Sequence, residues 1–400
     1  MNLKLDPQLD DFRAEVRAFL RETLAEDVIR RSRIGMHPPN EDDRRWWNRT
    51  LYKKGWVAPA WPEAYGGTGW SPIQRHIFEM ECRAAGAPEL RWQGLRLIGP
   101  VIYTFGTPEQ KARYLPPILK CEEFWGQGFS EPQAGSDLVS LRTSAVLDGD
   151  EYVINGQKLW TSECNFSNMG FFLCRTDPAV KPQAGISMFL FPLDTPGVTV
   201  RAFETINGDY ANCEVFLDNV RVPKSAMLGA PGSGWDQAKF LLGNERTSSA
   251  DIEKAHADLM RIRTIAATEL KDGRPLLEDK GFRHQLTQLH LEVEALDWAV
   301  LRVLLEAPSN FPVAACASVL KVRGSTLQQK LSELAFSALG PRGLRLYTCA
   351  EGFAHTGDDP LWPLHTAGVT ADLLYLRACT IFGGAMEVQK NIIAKVAFGL

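Results

Sequence analysis

Residues 126–137 read GQGFSEPQAGSD, and residues 156–162 read GQKLWTS about one hairpin later. The first stretch is rich in small residues and carries side-chain oxygens at Ser130, Glu131 and Ser136. Small residues let the backbone approach a flat or phosphorylated ligand closely, and free N–H groups and hydroxyls then bind the oxygens of that ligand. Because the second stretch adds a tryptophan next to two hydroxyls, the two stretches predict a binding site for such a ligand.

The hydrophobic pattern around these stretches divides the chain into three parts. Residues 1–122 repeat apolar side chains at helical spacing, residues 123–233 alternate with a period of two, and residues 234–400 return to helical spacing. Short strands separated by Gly, Pro and Asp predict a small barrel or sandwich in the middle part. Helices, then strands, then helices predict an α+β fold with segregated layers, built as three domains with these bounds.

Several local signals predict element boundaries. Thr107, followed by Pro108 and Gln110, predicts a helix that starts with a capping box. The dipeptides Asp-Gly at 148–149 and Asn-Gly at 155–156 predict tight turns between short strands. In the last part the pattern predicts long helices at about 235–270, 280–306, 314–338 and 366–397.

Composition argues against several classes of function. The net charge of −4 gives no electrostatic reason to expect binding to nucleic acid or to an anionic membrane. No apolar run is long enough for a membrane-spanning helix, and the seven histidines lack paired metal-ligand spacing. The eight cysteines are scattered without a CxxC pair, as reduced thiols are, so the chain is predicted to be cytoplasmic and without a signal peptide.

The two stretches together resemble the flavin-binding signature of the acyl-CoA dehydrogenase family. Residues 55–67, 105–118, 216–223 and 382–394 resemble further segments of that family in the same order, so the resemblance covers nearly the whole chain. It implies an N-terminal helical domain, a central β-barrel and a C-terminal four-helix bundle. It also implies FAD as the cofactor and oxidation of an acyl-CoA thioester to the trans-2-enoyl-CoA, a β-oxidation step of fatty acid or steroid side-chain degradation.

The resemblance also implies roles around FAD. Trp160 is implied to stack beside the isoalloxazine ring, with the Thr161 and Ser162 hydroxyls bonded to the polar edge of the ring. Ser136 is implied to meet the pyrophosphate and, together with Arg246, to contact the substrate. The residues implied to line the cofactor are Gln127, Phe129, Ser130, Gly135, Ser136, Trp160, Thr161, Ser162, Gly383 and Glu387.

The catalytic base is implied at a less common position. Many family members carry the catalytic Glu in a segment of the form YEGT, but Gly383 stands there and cannot accept a proton. Other members use a Glu that directly precedes an Arg in the first long helix of the C-terminal domain, which here is Glu245 before Arg246. Glu245 follows Leu241 by four residues and Leu242 by three, which predicts a place on the apolar side of its helix. Desolvation there raises the pKa of a carboxyl, as suits a base for the α-proton.

Other interpretations of the charged residues stay open. Glu245 and Arg246 can form a solvated or structural ion pair without a catalytic role. Glu163, directly after the second stretch, competes as a base but is expected to be a solvated loop carboxylate. Arg44 and Arg45 are expected on a solvated helix face or at a subunit contact.

The sequence elements that bind the adenosine end of FAD in typical family members are missing from this chain. Typical homotetrameric members grip the adenosine end of a neighbour's FAD with an Arg-x-x-Phe-Gly sequence, but residues 272–279 read DGRPLLED, and a later Gln-x-x-Gly-Gly element is degenerate at residues 338–343. Either these loops have drifted, or another subunit supplies the adenosine-binding half. The chain resembles the large subunit of pimeloyl-CoA dehydrogenase and the α subunits of heterotetrameric steroid-side-chain dehydrogenases.

That resemblance implies an α2β2 assembly with a homologous small subunit, although a homo-oligomer and a monomer stay open. It also implies bulky or polar-ended acyl-CoA substrates and an electron-transfer flavoprotein as the electron acceptor. Two other functions are possible at this point. One is a non-catalytic structural subunit, which the vacant position at Gly383 favours and the complete flavin signature opposes. The other is an acyl-CoA oxidase or flavin monooxygenase on the same fold, because motifs do not show whether O2 reaches the reduced flavin.

Overall fold

The computed structural model describes residues 7–244, 250–305 and 312–400. Its first part is helical, with the bounds α1 (Pro7–Thr23), α2 (Glu26–Ile34), α3 (Glu41–Lys54), α4 (Pro72–Ala85), a π-helix (Gln93–Ile98), α5 (Gly99–Phe105) and α6 (Pro108–Leu119). The predicted capping box is present, because the Thr107 side chain accepts from the Gln110 N–H and the Gln110 side chain accepts from the Thr107 N–H. These two bonds fix the start of α6.

The middle part is a sheet of seven strands: β1 (Trp125–Gly128), β2 (Ser144–Asp148), β3 (Glu151–Lys158), β4 (Met169–Arg175), β5 (Ile186–Pro192), β6 (Val198–Phe203) and β7 (Asn212–Pro223). Pairing is antiparallel except where β4 meets β1 and the start of β2. β5 pairs along all of one edge of β4. β1 and the start of β2 therefore both pair with the other edge of β4. The predicted order of helices, strands and helices is confirmed. The described strands form an open sheet that curves as a half-barrel.

One of the two predicted turns is wrong. The Asp-Gly pair at 148–149 joins β2 to β3 as predicted, but the Asn-Gly pair at 155–156 lies inside β3, where the register with β7 shifts. A Cβ built on Gly156 would lie 2.7 Å from the Cα of Thr143, closer than real contacts allow. The glycine therefore permits a bulge and a close backbone approach, not a turn.

The central strand β4 is buried on both faces. Its Phe171 and Leu173 belong to the main hydrophobic core, which also holds side chains of α1, α3, α5 and α6. Phe172 and Cys174 belong to a second core within the sheet domain. Alternate side chains therefore pack against different partners, which explains why β4 is apolar throughout. The main core fixes the first helices against the sheet.

The last part holds α7 (Gly234–Asn244), α8 (Ile252–Thr268), the short strands β8 (Leu270–Lys271) and β9 (Arg274–Pro275), α9 (Lys280–Leu304), α10 (Val313–Leu339), α11 (Cys349–Ala354), α12 (Val369–Tyr375) and α13 (Met386–Phe398). α8, α9 and α13 each pack against α10 and form the predicted four-helix bundle, whereas α7 packs against β5 and α5. The single helix predicted over 366–397 is wrong. A turn with Gly383 and Gly384 at positive φ separates α12 from α13.

A largely buried carboxylate joins the two helical domains. Asp297 on α9 lies 3.3 Å (Oδ1–Nε2) from His76 on α4 and 3.2 Å (Oδ2–Nε2) from His256 on α8. Burial alone would raise the pKa of Asp297, but the hydrogen bonds from both histidines lower it to about 2. The carboxylate therefore stays charged and holds α4 against the C-terminal bundle.

Within the described residues, none of the helices is both long and apolar enough to cross a membrane. In the described structure none of the eight cysteines forms a disulfide bond.

Candidate functional site

The first sequence stretch folds into a compact loop after β1. Backbone hydrogen bonds of 3.0 Å join Glu131 and Ala134 in both directions. The Glu131 carboxylate is buried beneath the loop, where it accepts from the N–H groups of Arg142 (2.7 Å) and Thr143 (2.9 Å). The loop is therefore anchored from inside by a carboxylate, while its outer residues 135–137 are exposed.

A buried lysine joins the second stretch to the first. Lys158, at the end of β3, donates to Glu131 Oε1 over 2.8 Å and to the Phe129 carbonyl over 3.2 Å. The Leu159 N–H donates to the Ser130 carbonyl over 2.9 Å. Burial would raise the pKa of Glu131, but the Lys158 ammonium and the hydrogen bonds to the carboxylate outweigh burial and lower it. The two stretches thus meet, as the sequence predicts.

We call residues 126–137 and 156–163 together the ring-side loops. Of the residues predicted to line the cofactor in the first loop, Gln127 and Ser130 are partly exposed. Phe129 is buried, with its ring 5.6 Å from that of Phe171 in an edge-on contact. Gln127 and Ser130 therefore offer side chains to a ligand, whereas Phe129 offers its backbone.

The second loop presents an aromatic ring in an uncommon backbone conformation. Trp160 has a φ of 61°, in the left-handed region, and 56% of the residue is exposed. Its ring packs edge-on against Phe203 at 5.2 Å between centroids. The Thr161 N–H donates to the Cys213 carbonyl over 3.0 Å, and the exposed Ser162 hydroxyl donates to a side chain of β7. β7 therefore holds the loop while Trp160 and Ser162 face outward.

A buried hydroxyl in this loop has no partner. Thr161 Oγ1 makes no hydrogen bond with any described residue, although an unpaired buried hydroxyl costs about 1–3 kcal/mol. Gly135 in the other loop is open, since a Cβ built there meets no described atom within 4 Å, and Ser136 beside it is exposed. An unpaired hydroxyl, an exposed tryptophan and an open glycine loop fit a flat ring with polar edge atoms and attached phosphates, as in FAD.

Glu163 is not the solvated carboxylate that the sequence predicts. It is 3% exposed and accepts from Arg44 Nη1 (2.6 Å), Arg91 Nη1 (3.2 Å) and Gln93 Nε2 (2.8 Å). Burial would raise the pKa of Glu163, but the two guanidinium groups and the hydrogen bonds lower it to about 2. A carboxylate in this state is unsuited to the role of general base near neutral pH.

The expectation for Arg44 is also wrong. Arg44 is fully buried on α3, where it donates to Glu163 and to the carbonyls of residues 89–90. Arg45 is half-buried, with its guanidinium 4.3 Å from the centroid of the Phe124 ring. Nothing in the local spacing separates Arg44 from its more exposed neighbours, because Glu163 lies 119 residues further along the chain.

The C-terminal residues predicted to line the cofactor lie in a turn that we call the C-terminal turn, residues 379–387. Gly383 has a φ of 64°, and Glu387 is exposed in the first turn of α13. A Cβ built on Gly383 would lie 3.4 Å from Nζ of Lys321, a buried lysine of α10 that donates to the Cys379 carbonyl. No hydrogen bond or ion pair between described residues joins Gly383 or Glu387 to the ring-side loops.

Two predicted site residues, Glu245 and Arg246, lie outside the described residues. The structure describes α7 up to Asn244, directly before them. Within α7, Leu241 is fully buried, but Leu242 is 50% exposed. The place of Glu245 on an apolar helix face therefore stays a prediction, which Leu241 supports and Leu242 does not.

The buried charges that hold the ring-side loops are not among the site residues predicted from the sequence. Lys158 carries a usable signal, because it continues the inward phase of β3 set by Tyr152 and Ile154, where an apolar residue is expected. A charge at such a position indicates a buried partner. Arg91 and Gln93 carry no comparable signal, since both stand in an irregular stretch before or at the start of the π-helix.

Comparisons with known proteins agree with this arrangement. Residues 6–122 match the profile of the acyl-CoA dehydrogenase N-terminal domain, residues 126–220 that of the middle domain and residues 232–398 that of the C-terminal domain. The chain is 35% identical over 402 residues to the acyl-CoA dehydrogenase IpdE1 of Mycobacterium tuberculosis, with 98% of each chain covered. It is 30% identical over 413 residues to the acyl-CoA dehydrogenase FadE26 of the same organism, covering 100% of this chain and 99% of FadE26.

Solved structures give the same result over the full length. The chain resembles the structure titled Tcur3481-Tcur3483 steroid ACAD with a TM-score of 0.84 and 28% identity, covering 100% of this chain and 99% of that chain. It resembles a chain of the ChsE4-ChsE5 complex from Mycobacterium tuberculosis with a TM-score of 0.81 and 28% identity, covering 100% and 99%. From the three matched domains and the relative at 35% identity, we conclude that the chain belongs to the acyl-CoA dehydrogenase family and is an enzyme of that class.

Proposed function

We propose that this chain is the large, catalytic subunit of a heteromeric, FAD-dependent acyl-CoA dehydrogenase. Its substrate is an acyl-CoA thioester, from which Glu245 removes the α-proton, and its product is the trans-2-enoyl-CoA. FAD, when bound, supplies the acceptor for the β-hydrogen, which leaves as hydride. The observation that carries this proposal is the unpaired, buried Thr161 hydroxyl beside the exposed ring of Trp160, in a chain of this family.

The ring-side loops supply the groups that would hold FAD. Trp160 offers an aromatic face, and the Thr161 hydroxyl offers a hydrogen bond that no described residue satisfies. Gly135 and Ser136 offer open backbone for the phosphates. Two buried ion pairs, Lys158 with Glu131 and Arg44 with Glu163, fix these groups before a ligand binds. Binding then costs less conformational entropy.

Charges elsewhere in the site support Glu245 as the base. Gly383 has no carboxylate, and Lys321 beside it would lower the pKa of one placed there. Glu163 is already paired with two arginines and is held as a carboxylate of low pKa. α7, which leads directly to Glu245, packs through Leu241 into the main core against the sheet.

The C-terminal surface supports a second, homologous subunit. α13 has no buried residue, although it carries the apolar residues Val388, Val396 and Phe398, which are 37% exposed or more. Ile381 and Phe382 in the C-terminal turn are exposed as well. Exposed apolar residues that form a patch on a folded enzyme indicate an interaction site, and these residues all belong to one C-terminal segment, 381–398. We propose that a small subunit covers this surface in an α2β2 heterotetramer.

This subunit would also complete the FAD site. Residues 272–279 and 338–343 lack the family sequences that grip the adenosine end of the cofactor. The name ChsE4-ChsE5 belongs to a complex, which supports the same kind of assembly for this chain. Another similar structure is titled a steroid ACAD, which supports bulky, ring-bearing or polar-ended acyl-CoA substrates of β-oxidation. We further propose an electron-transfer flavoprotein as acceptor and a cytoplasmic location, which the eight free thiols fit.

Co-expression of the chain with a small subunit from an adjacent reading frame tests the proposal. We expect a yellow complex that reduces an artificial electron acceptor when acyl-CoA is added and releases no peroxide. Peroxide formation in place of acceptor reduction would identify an oxidase. A complex whose turnover depends on a carboxylate of the small subunit, and not on Glu245, would identify this chain as a structural subunit.

A further inference from the structure

We propose that Glu163 is a positioning residue, whose buried contacts with Arg44, Arg91 and Gln93 lock residues 160–162 in the conformation that receives the flavin ring. The inference rests on the proposed function, because it concerns the ring-side half of the FAD site. The described partners of the Glu163 carboxylate all belong to the first helical domain. Glu163 therefore acts on a ligand through the loop and not by touching it.

Different domains hold the two ends of Glu163. Its carboxylate is bound by side chains of α3 and of the segment that opens the π-helix. Its backbone N–H donates to the Ala211 carbonyl over 2.5 Å, one residue before β7, and its carbonyl accepts from Ser167 Oγ over 2.9 Å. Because this one residue is fixed from both sides, the loop before it is tied to the helices and to the sheet at once.

The loop adopts a conformation that needs such a lock. Trp160 and Glu163 have φ values of 61° and 58°, in the left-handed region that residues other than glycine seldom adopt. Such backbone persists only where surrounding contacts determine it, and it occurs often at functional sites. Between the two residues lies Thr161, whose hydroxyl has no described partner. The contacts of Glu163 therefore fix the segment that carries this unpaired hydroxyl.

Charge balance makes Glu163 the decisive member of the cluster. The carboxylates within ion-pair distance of Arg44 and Arg91 in the described structure are Glu41 and Glu163. Glu41 also binds Arg45 at 2.6 Å, so three guanidinium groups share two carboxylates. Removing the charge of Glu163 leaves the buried guanidinium groups of Arg44 and Arg91 with Glu41 alone, which Arg45 also binds. The loop then loses the ion pairs of Glu163 with the helical domain and keeps its backbone bonds to the sheet side.

A merely structural ion pair makes a different prediction, and the chain provides a matched case. Asp297 is also a largely buried carboxylate, with 18% of its side chain exposed. It binds two basic side chains, and one of them, His76, belongs to the other helical domain. It stands on α9, outside the ring-side loops. Asp297→Asn therefore reports the general effect of losing an interdomain carboxylate, without the loop contact of Glu163.

The experiment compares the full-length wild type, Glu163→Gln and Asp297→Asn. Hydrogen exchange measured by mass spectrometry on peptides across residues 159–164 of the flavin-free chain reports the loop directly. In Glu163→Gln we expect these peptides to exchange on the order of tenfold faster than in the wild type, the effect of losing one charged hydrogen bond. In Asp297→Asn we expect them to exchange at the wild-type rate. FAD titration, followed by flavin fluorescence, is expected to show affinity lowered on the order of tenfold in Glu163→Gln alone.

Unchanged exchange across 159–164 in Glu163→Gln overturns the inference, and so does faster exchange with unchanged FAD affinity. Equal losses of FAD affinity in the two variants show a general structural effect and overturn it as well. If Glu163→Gln fails to fold, Glu163→Asp replaces it. Its shorter carboxylate cannot keep all three contacts, so wild-type exchange in that variant overturns the inference. A wild-type chain that binds no FAD, alone or in complex, refutes the proposed function, whereas the exchange data still decide whether Glu163 holds the loop.

Discussion

The ring-side loops and the C-terminal turn differ in how much of their structure this chain completes. In the ring-side loops the charged groups are buried and paired within the chain, Lys158 with Glu131 and Glu163 with two arginines. The C-terminal turn has at Gly383 no side chain that could serve as a base, and its Phe382 is 43% exposed. One region is finished by its own side chains, and the other presents glycine and apolar surface.

This difference shows which properties belong to the chain alone. Changes in the ring-side loops act on buried pairs, so we expect them to alter the free energy of unfolding or the fit of the cofactor. Changes in the C-terminal turn meet open surface, so we expect them to alter assembly more than folding.

The largest effect is expected from Lys158→Met. This change leaves the Glu131 carboxylate buried without its cation, which destabilises a folded protein by about 3–5 kcal/mol. Urea unfolding measures the change. Lys224→Met is the control, because the pair of Lys224 with Asp150 is solvent-exposed and its loss is expected to cost about 0.5 kcal/mol or less. Equal costs for the two variants would show that the ring-side loops are not held by the buried pair.

Glu245→Gln is expected to lower turnover of acyl-CoA by about 100-fold or more, as loss of a general base does. The assay uses an artificial electron acceptor and the complete complex, and the FAD content should stay at the wild-type level. Asp236→Asn in α7 is the control, since Asp236 is exposed and should leave turnover unchanged. Near-normal turnover in Glu245→Gln would refute the assignment of the base.

Asp297→Asn is expected to lower the free energy of unfolding by about 1.5–3 kcal/mol, the value of a hydrogen bond to a charged group. The size of this loss should depend on pH. The pKa of Asp297 is lowered to about 2, so its contribution is present above its unfolded pKa and vanishes as the pH falls towards 2. Burial would lower the pKa of His76, but the hydrogen bond with Asp297 raises it. The contribution of His76 to stability is therefore present below about pH 6.5 and vanishes as the pH rises through the raised pKa.

The loss caused by Asp297→Asn should therefore be greatest between about pH 4 and pH 6.5. Thermal unfolding of wild type and variant at about pH 2.5, 5.5 and 8.5 measures it. A loss that is independent of pH would mean that α4 is held against the bundle by packing and not by this charge.

The smallest effect is expected from Gly383→Glu in the Glu245→Gln background. A carboxylate at residue 383 would lie beside Lys321, which lowers its pKa and weakens it as a base, and φ at this position disfavours any side chain. Turnover should stay at the level of Glu245→Gln. Gly383→Gln in the same background controls for the added bulk. Recovery of about tenfold or more by the Glu variant alone would show that the C-terminal turn still accepts a base.

The parts of the fold that the sequence predicts correctly depend on residues close together in the chain. The Thr107 capping box spans four residues, and the Asp-Gly turn at 148–149 joins adjacent strands. The Asn-Gly pair at 155–156 has the same local signal but forms a bulge, because Thr143 on another segment packs against it. Apolar spacing likewise predicts one helix over 366–397 and does not register the break at Gly383.

The same limit applies to the site. The ring-side loops are predictable, since their small residues, hydroxyls and tryptophan lie in two short stretches. The burial of Glu163 is not predictable in this way, because its cations come from Arg44 and Arg91, 119 and 72 residues away. Only the packing of the first helices against the sheet brings these charges together.

In the proposed assembly this chain holds the ring-side half of an FAD site, and another subunit completes it. The most direct test is the FAD content and affinity of the full-length chain purified alone in FAD-containing buffer, beside the same chain co-purified with a small subunit. We predict well below one FAD per chain for the isolated chain and one per chain in the complex. Stoichiometric, tightly bound FAD on the isolated chain would contradict the account.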